Sequence, residues 1–540
     1  MIKLLHIESK TIVSAAAIVG VLSFGSRLVG LLRDRLLAGA FGAGDTLDVY
    51  YAAFKVPDLL FGLLAMGALS ASFLPLFTKY YGTSKRREEA WTLMNNVLHL
   101  LLLAMGVVSL GIALTAPWLA PLIAPGFDGA KQADVVSLLR IMLLSQMLLA
   151  GSIVFGSALQ GMKRFFLYSL APIVYNVGII MGALLLAPKF GNMGLAYGVV
   201  FGALLHLLVQ WIGVHAAGYR YQPIFRPHNT DAREILRLMG PRTLGIGISQ
   251  LQVAALTILA TLLAAGSVTI FQFAYNIQFF AVGIIGVSFA IAAFPSFSEA
   301  LESGDIARFI QHFSETMRQA LFFLIPSTLL FLILRAQIVR VVVGAGAFDW
   351  IATIKTADAL AFFALSFVAQ GAVFILSRAF FALHDTVTPL LSGIVSTIFG
   401  ILIAVSLSKT WGVAGLAAGF SVAAYIQLIM LWLPLRQRFS SLDESTMIVS
   451  LFRMTSAGIF SAVVMQSLKP VAVALIPLDT FWGVLSQGLL AGGFGLATYV
   501  YVSYVLKSPE LSSLIGGIRK SWFKRFEPKE TIAAETPMTS

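Results

Sequence analysis

The sequence contains no cysteine and only a small share of charged residues. The absence of cysteine excludes disulfides, thiol catalysis and thiolate metal sites. Of the 540 residues, 11% are charged and 58% are hydrophobic, and the mean hydropathy is +0.88. An ordinary water-soluble domain cannot hide so large an apolar share. The composition therefore indicates a protein that is surrounded largely by lipid.

Hydrophobic runs recur along nearly the whole chain. Each is long enough to cross a hydrocarbon core of roughly 30 Å, which takes about 20 helical residues. Because lipid offers no partners for open backbone groups, the spans must be helices. We therefore predict an all-α polytopic membrane protein with about fourteen transmembrane helices. Their expected positions are 11–39, 46–78, 90–118, 134–161, 166–187, 192–217, 234–263, 268–298, 309–334, 354–382, 387–408, 412–435, 444–468 and 479–506.

Basic residues collect in alternate loops. Counted from a cytoplasmic N-terminus, the inner loops hold the basic groups at 79–87, 163–164, 220–237 and 436–438, and a basic tail follows the last span. The positive-inside rule then predicts that both termini are cytoplasmic. The first apolar stretch lacks a signal-peptide cleavage site, so we expect it to be retained as a span. Because these loops account for the formal charge of +12, we predict no nucleic-acid partner.

A weak internal repeat has an offset of about 220 residues, as in transporters built from repeated halves. Segment 54–75 resembles segment 275–295; both follow a short glycine-containing loop and both end at a proline. The repeat predicts two six-helix lobes in a pseudo-twofold arrangement plus two C-terminal helices. The expected units are an N-terminal six-helix lobe at 1–218, a cytoplasmic linker at 219–233, a C-terminal six-helix lobe at 234–438, two extra transmembrane helices at 439–507 and a basic cytoplasmic tail at 508–540.

The first two spans each carry a stripe of polar and charged residues at spacings of 3 and 4, which place them on one helical face. The stripe of span 1 contains Gly20, Ser23, Arg27, Gly30 and Asp34, with Arg33 and Arg35 beside it. The stripe of span 2 contains Asp48, Tyr51, Lys55, Asp58 and Gly62. An arginine at the bilayer centre costs roughly 2.5–3.5 kcal/mol, so these residues should face protein or water.

The two stripes admit two interpretations that do not exclude each other. The charges could pair and lock the two helices together, although buried ion pairs are costly structural contacts. Intramembrane ionisable groups more often mark a substrate or ion pathway. The four cations Arg27, Arg33, Arg35 and Lys55 outnumber the carboxylates Asp34, Asp48 and Asp58, which suits an anion. Guanidinium groups match phosphate oxygens in bidentate geometry, so we expect a phosphate or pyrophosphate rather than a halide.

Other intramembrane polar residues are weaker signals. Arg242, after the break at 240–241, and Arg140 and Arg378 could line the same cavity, or Arg242 and Arg378 could anchor at the interface. Glutamines and an asparagine at 250–278 are expected mainly to bond between helices. His99 and His206 lack a second ligand at metal spacing, and we expect both to be packed.

No catalytic constellation is present in the sequence. The pair His384-Asp385 has no nucleophile at a usable spacing, and there is no P-loop for ATP hydrolysis. We therefore predict that the chain is not an enzyme and holds no cofactor or metal. Its driving force is expected from a gradient of a coupling ion (sodium, proton or chloride), the membrane potential or a partner.

Several blocks of sequence resemble the MurJ (MviN) lipid II flippase family. The amino-terminal signature runs through Ser26–Asp34, Phe41–Gly44, Asp48 and Ala53–Leu60 to Gly67–Pro75. Later landmarks are Met239-Gly240-Pro241 with Ser249-Gln250, then 283–295, Phe381-Ala382, Asp385-Thr386 and Thr388-Pro389. The resemblance covers spans 1 to 12 in order. It implies membership of the multidrug/oligosaccharidyl-lipid/polysaccharide exporter superfamily, in which two six-helix lobes surround a central cavity.

The resemblance implies a transporter that moves lipid II, a polyprenyl-pyrophosphate-linked saccharide, across the bacterial cytoplasmic membrane by alternating access. Arg27, Arg33 and Asp34 match cavity residues of span 1, and Asp48 matches an acidic position of span 2. Family members often carry arginines where this chain has Phe61-Gly62 and Asn276. Lys55, Arg35 or Arg242 would compensate. We expect a monomer that contacts membrane lipids and cell-wall synthesis proteins. The predicted substrate-binding residues are Arg27, Arg33, Asp34, Arg35, Asp48, Lys55, Asp58, Asn276 and Arg242.

The sequence leaves other functions open. One alternative is a flippase for another polyprenyl-linked saccharide, of the O-antigen or capsule type. A cation-coupled drug exporter of the same superfamily would carry cavity carboxylates without clustered arginines, which span 1 contradicts. A non-transporting membrane scaffold in cell-wall assembly would tolerate uncharged replacements of Arg27 and Asp34. A membrane-embedded transferase would need a base and a metal site at the membrane surface.

Overall fold

The computed structural model describes residues 12–62, 69–475 and 480–524, with side chains for 18–62, 73–231, 233–235, 250–471, 473 and 480–516. The described residues are almost entirely helical and include no β-strand. The first half contains α1 Ile12–Phe41, α2 Asp45–Phe61, α3 Leu69–Tyr81, α4 Arg87–Ile123, α5 Gly129–Gly161, α6 Phe165–Met181, α7 Ala187–Phe190 and α8 Asn192–His215. The rest contains α9 Thr230–Thr261, α10 Ser267–Glu302, α11 Ile306–Ile333, α12 Arg335–Val342, α13 Trp350–Leu365, α14 Phe367–Ala382, α15 Val387–Trp411, α16 Val413–Arg438, α17 Glu444–Leu475, α18 Phe481–Val505 and α19 Pro509–Lys524.

Ten helical segments of the described chain are long and apolar enough to cross a membrane. The pair α13 and α14, bent by 43° at Ser366, forms an eleventh if it is one span. The predicted all-α multi-span fold is confirmed, whereas the number fourteen stays a prediction. Helices α1 and α9, which carry charged residues, are not among the ten.

The observed elements differ from the expected spans in three places. The expected span 46–78 is divided between α2 and α3, with 63–68 outside the described residues. The expected span 354–382 is broken at Ser366. Helix α19 lies in the segment that is predicted only as a basic tail. Its Glu510 is only 4% exposed, and Glu510 Oε1 pairs with Arg318 Nη1 of α11 at 2.9 Å. Hydropathy alone could not identify this short amphipathic helix.

Glycines allow two pairs of helices to pack closely. Helices α6 and α8 meet so closely that a Cβ on Gly178 would lie 2.2 Å from the Cα of Gly202. Helices α15 and α16 meet in the same way, where a Cβ on Gly419 would lie 2.7 Å from the backbone oxygen of Gly400. Small residues permit such close packing where lipid supplies no hydrophobic drive between helices.

The two halves of the chain touch where α1 turns into α2. The Ala347 N–H, in the loop between α12 and α13, donates to the Gly39 oxygen at 2.9 Å. Gly42 has φ +67° and Gly266 has φ +87°, and a Cβ on either would lie within 2.8 Å of a backbone oxygen. Glycine is therefore required at both turns, by conformation and by space. We call this contact, formed by Gly39, Gly42, Gly266 and Ala347, the sealed end.

Asp385 caps the first turn of α15 at the opposite end of the bundle. It accepts hydrogen bonds from the Thr388 N–H at 2.9 Å and hydroxyl at 2.8 Å, and it pairs with Arg438 of α16. Burial alone would raise the pKa of Asp385, but these hydrogen bonds and the guanidinium outweigh it and hold the pKa below its usual range. The turn is thereby fixed by charge as well as by backbone geometry.

We expect Asp385→Ala to lower the free energy of unfolding by about 1 kcal/mol at neutral pH, because the cap is lost. A carboxyl whose pKa is depressed in the folded state stabilises the protein fully at any pH above the pKa it has in the unfolded state, about 4. This stabilisation is lost as the pH falls through the lower pKa of the folded state. Thermal unfolding of the purified protein should therefore show a gap between wild type and variant that narrows below about pH 4. As a control, Asp305→Ala removes one hydrogen bond, to the Arg308 N–H at 2.9 Å, and should cost less. A gap independent of pH would contradict the assignment.

Candidate functional site

A polar cavity of about 770 Å³ lies among helices of both halves. Its walls come from α1, α2, α5, α6, α8 and α10. The lining residues are Ser23, Ser26, Arg27, Arg33, Tyr50, Tyr51, Phe54, Lys55, Asp58, Phe61, Gln146, Leu149, Ile153, Gly156, Ser157, Gln160, Tyr168, Ser169, Pro172, Tyr175, His206, Gln210, Gln272 and Asn276. Three of them are cations and one is a carboxylate, so the lining has the cationic excess that the stripes predict.

Arg33 and Asp34 form the charged centre of one wall. The Nε and Nη2 atoms of Arg33 donate to Asp34 Oδ1 at 3.0 and 2.7 Å. Arg33 Nη1 donates to Asn176 Oδ1 of α6 at 3.0 Å. Asp34 is only 2% exposed, so it lies behind the guanidinium rather than in the open cavity. The pair therefore presents a positive surface to the cavity and keeps its negative partner covered.

A chain of hydrogen bonds joins this centre to the second half of the protein. Lys55 Nζ donates to Gln272 Oε1 at 2.6 Å, and Gln272 Nε2 donates to Asn276 Oδ1 at 2.8 Å. Asn276 Nδ2 then donates to Asp34 Oδ2 at 2.8 Å. Helix α10 thus bonds to both α1 and α2, through Asp34 and Lys55. This series of hydrogen bonds places Lys55 and Arg33 on one side of the same cavity.

Arg27 reaches α10 from the middle of α1. Its Nη1 and Nη2 atoms lie 3.5 Å from the backbone oxygens of Phe280 and Gly283. A Cβ on Gly283 would lie 2.8 Å from Arg27 Nη1, so the glycine makes room for the guanidinium. Arg27 still lines the cavity, and these two long contacts leave its positive charge without a carboxylate beside it among the described residues. Asp58 lines the cavity from α2 and is exposed to it.

Besides Asp34, which lies behind Arg33, two predicted site residues lie away from this cavity, and the side chain of a third is not described. Asp48 is buried and accepts hydrogen bonds at the N-terminus of α10, from the Gly266 N–H at 2.7 Å and from Thr269. Arg35 donates to the Val341 oxygen at 2.6 Å and lies over the Phe481 ring at 4.7 Å. The side chain of Arg242 lies outside the described residues. Arg35 lies beside the stripe of span 1 and therefore meets a different helix. Asp48 is on the stripe of span 2 but lies about two helical turns before Lys55, where that face meets the start of α10.

Sequence reasoning missed the part of the cavity lining that α5, α6 and α8 form. His206, expected to be packed, lies in this part with its Nδ1 2.6 Å from Ser152 Oγ. On α5 the cavity residues Gln146, Leu149, Ile153, Gly156 and Gln160 recur at spacings of 3 and 4. That periodicity was the available signal, but the residues are uncharged and their span is strongly apolar. Groups of three or more His, Cys, Asp or Glu that could hold a metal are absent from the searched part of the chain.

The fold and the cavity define a polytopic helical membrane protein of the transporter class, with an internal polar chamber rather than a catalytic site. The sequence model described as "Lipid II flippase MurJ" matches residues 37–485, and the chain belongs to this family. A probable lipid II flippase MurJ of Rickettsia prowazekii is 29% identical, over 78% of this chain and 83% of that protein. One from Rhizobium tropici is 28% identical, over 94% and 96%. A lipid II flippase MurJ from Burkholderia cenocepacia is 29% identical, over 76% and 81%.

Solved structures of the same fold include two kinds of transporter. The structure titled "Lipid II flippase MurJ, inward closed conformation" has a TM-score of 0.73 and 22% identity, and covers 91% of this chain and 98% of that one. An inward-facing multidrug resistance MATE family transporter of the MOP superfamily has a TM-score of 0.65 and 17% identity, and covers 79% and 99%. The expected exporter-superfamily fold is confirmed by these likenesses.

Proposed function

We propose that this protein flips lipid II, moving the pyrophosphate–saccharide head group from the cytoplasmic to the outer leaflet of the bacterial cytoplasmic membrane. The observation that carries the proposal is a polar cavity inside a lipid-embedded bundle, with Arg27, Arg33 and Lys55 all on its surface. Cations held away from bulk water attract a pyrophosphate strongly. Membership of the lipid II flippase family supports this substrate over an O-antigen or capsule unit.

Arg33 and Lys55 form the core of the pyrophosphate site. Their partners Asp34 and Gln272 fix both side chains from behind, so little side-chain ordering remains to be done when the head group enters. Asp58 lines the same space and limits the net positive charge. Release at the second leaflet requires attraction of only moderate strength. Arg27, Arg33, Lys55, Asp58 and Asn276 are therefore the substrate-facing members of the predicted set.

The head group crosses by alternating access. This scheme requires the sealed end, where the two halves touch, to part when the head group leaves on that side. Both termini lie in the cytoplasm in this scheme, because the basic loops are then on the inner side. The two lobes, 1–218 and 234–438, rock about the cavity as a monomer, while the polyprenyl chain stays in lipid beside α17 and α18. Gly39, Gly42, Gly266 and Ala347 sit where the two lobes part.

The direct test is to supply the chain to bacteria depleted of their own lipid II flippase and to measure outward exposure of labelled lipid II. We expect the wild type to restore exposure and growth. The double variant Arg27→Ala/Lys55→Ala should transport at least about tenfold more slowly, because each lost charge removes a hydrogen bond worth about 1.5–3 kcal/mol.

Membrane amounts of each variant, measured by immunoblot, control for expression. The control Lys131→Ala removes a surface cation that pairs with Asp45 at 2.8 Å, and it should restore exposure as the wild type does. Failure of the wild type to raise lipid II exposure would reject the proposed function. Full rescue by the double variant would reject the assigned site.

A further inference from the structure

Four buried polar side-chain atoms, on residues that line the cavity beside the cations, have no hydrogen-bond partner among the described residues. They are Tyr51 OH, Gln146 Oε1, Ser169 Oγ and Gln210 Oε1. All four side chains line the cavity, and their residues are only 7%, 1%, 5% and 2% exposed. We call these four residues the neutral wall. Buried polar groups are nearly always paired in native proteins, so four unpaired atoms around one cavity need an explanation.

The two amides of the neutral wall are held in place by their nitrogen atoms. Gln210 Nε2 lies 3.5 Å from the Tyr168 oxygen, and Gln146 Nε2 lies 3.2 Å from Ser145 Oγ. Each glutamine therefore keeps its carbonyl oxygen as an unused acceptor. Gln210 also packs directly on Gly156, where a Cβ would lie 3.1 Å from Nε2. The sequence thus leaves space on α5 for this amide to reach the cavity wall.

The neutral wall lies within reach of a head group bound at the cations. On α6, Asn176 accepts from Arg33, and Ser169 is two helical turns away, about 10 Å along the axis. Gln210 bonds to Tyr168, next to Ser169, so these two members lie side by side. Tyr51 lies one turn before Lys55 on α2. A pyrophosphate at Arg33 would therefore direct its attached group along this wall.

The chemistry of the four atoms selects the class of group that binds there. Two carbonyl oxygens accept only, and two hydroxyls both donate and accept. None carries a charge, so the wall has no counter-ion for a second phosphate or for an amine. Sugar hydroxyls and N-acetyl or peptide amides can satisfy all four.

We propose that the neutral wall binds the uncharged saccharide portion of the substrate, while Arg33 and Lys55 bind its pyrophosphate. This proposal rests on the proposed function. It divides one cavity into an anionic subsite, which accepts any polyprenyl pyrophosphate, and a neutral subsite, which requires the attached sugar. Substrate selectivity then comes from the neutral wall rather than from the arginines.

The test compares two probes on the purified full-length protein in nanodiscs: polyprenyl pyrophosphate without a sugar, and lipid II. The wild type should bind lipid II more tightly. The double variant Ser169→Ala/Gln210→Leu should weaken lipid II binding about thirtyfold, which corresponds to the loss of two hydrogen bonds of about 1 kcal/mol each. Its affinity for the sugar-free probe should not change. Gln146→Leu, on a different helix, should also lose affinity for lipid II and keep its affinity for the sugar-free probe. This single variant tests the proposal even if the double variant does not fold.

A control pair of the same residue types lies outside the cavity. Ser109 Oγ and Gln278 Nε2 are also buried and unpartnered among the described residues, but neither residue lines the cavity. Ser109→Ala/Gln278→Leu should leave both affinities unchanged. The neutral subsite would be overturned if the wild type bound the two probes equally well, or if the cavity variants lost affinity for both probes equally. Either result would leave the proposed function standing. Binding of neither probe by the wild type would reject the proposed function itself.

Discussion

Arg33→Gln should lower the rate of lipid II transport about a hundredfold, because it removes charge-assisted bonds worth about 1.5–3 kcal/mol each. The guanidinium has two functions: it faces the cavity, and it holds Asp34 with two nitrogens and Asn176 with the third. Glutamine keeps a polar NH2 group but has neither the positive charge nor the planar set of donors of the guanidinium. The measurement is outward exposure of labelled lipid II in vesicles that contain equal amounts of each protein.

Arg33→Lys separates charge from geometry. Lysine keeps the positive charge but cannot bond Asp34 and Asn176 in a planar fork, so we expect a rate between those of wild type and glutamine. Arg35→Gln is the matched control, because Arg35 lies on the same helix and donates to the Arg340 and Val341 oxygens away from the cavity. It should lower thermal stability slightly and leave transport near the wild-type rate. Loss of transport in Arg35→Gln but not in Arg33→Gln would reverse the assignment.

The sequence was sufficient to predict the membrane fold and the charged side of the cavity. Helical spacing placed Arg27, Lys55 and Asp58 on inward faces, and the structure brings all three to one cavity. The spacing of residues along a helix does not show which other helix each of its faces contacts. For that reason Asp48, on the same stripe as Lys55, contacts the start of α10, and Arg35 contacts α12.

The neutral wall could not be recognised from charge or hydropathy. Its residues are single Gln, Ser and Tyr side chains in strongly apolar helices, where an ordinary interhelical hydrogen bond is the usual role. Gln272 shows that this expectation is sometimes right, because it bonds Lys55 and Asn276. Only the arrangement of α2, α5, α6 and α8 around one cavity distinguishes a side chain that lines the cavity from one that bonds between helices.

The internal repeat relates residues that hydrogen bonds connect between the two halves of the chain. An offset of 221 pairs Asp48 with Thr269 and Lys55 with Asn276. Asp48 bonds Thr269 directly, and Lys55 is linked to Asn276 through Gln272. Contacts between equivalent positions are what a pseudo-twofold axis between α2 and α10 requires. This supports the proposal of two parallel lobes that meet at these helices.

Asp48→Asn should destabilise the protein by roughly 3 kcal/mol, although it changes only one atom. Asp48 Oδ2 accepts from the Gly266 N–H at 2.7 Å, and Oδ1 accepts from the Thr269 N–H at 2.8 Å and hydroxyl at 2.7 Å. An amide NH2 in either position would face a backbone N–H, so one donor at the start of α10 is left unpaired. The lost negative charge also lay at the positive end of that helix. Thermal unfolding of the purified protein measures the effect.

Asp45→Asn is the matched control for Asp48→Asn. Asp45 lies in the same first turn of α2, but its side chain is 53% exposed and pairs with Lys131 at 2.8 Å. An exposed pair contributes at most about 1 kcal/mol, so this variant should unfold close to the wild type. Thr269→Val should cost about 1 kcal/mol, since it removes only the hydroxyl bond and leaves both backbone donors paired. The order Asp48, then Thr269, then Asp45 would show that the carboxylate joins the two lobes, whereas equal effects of the three substitutions would contradict that role.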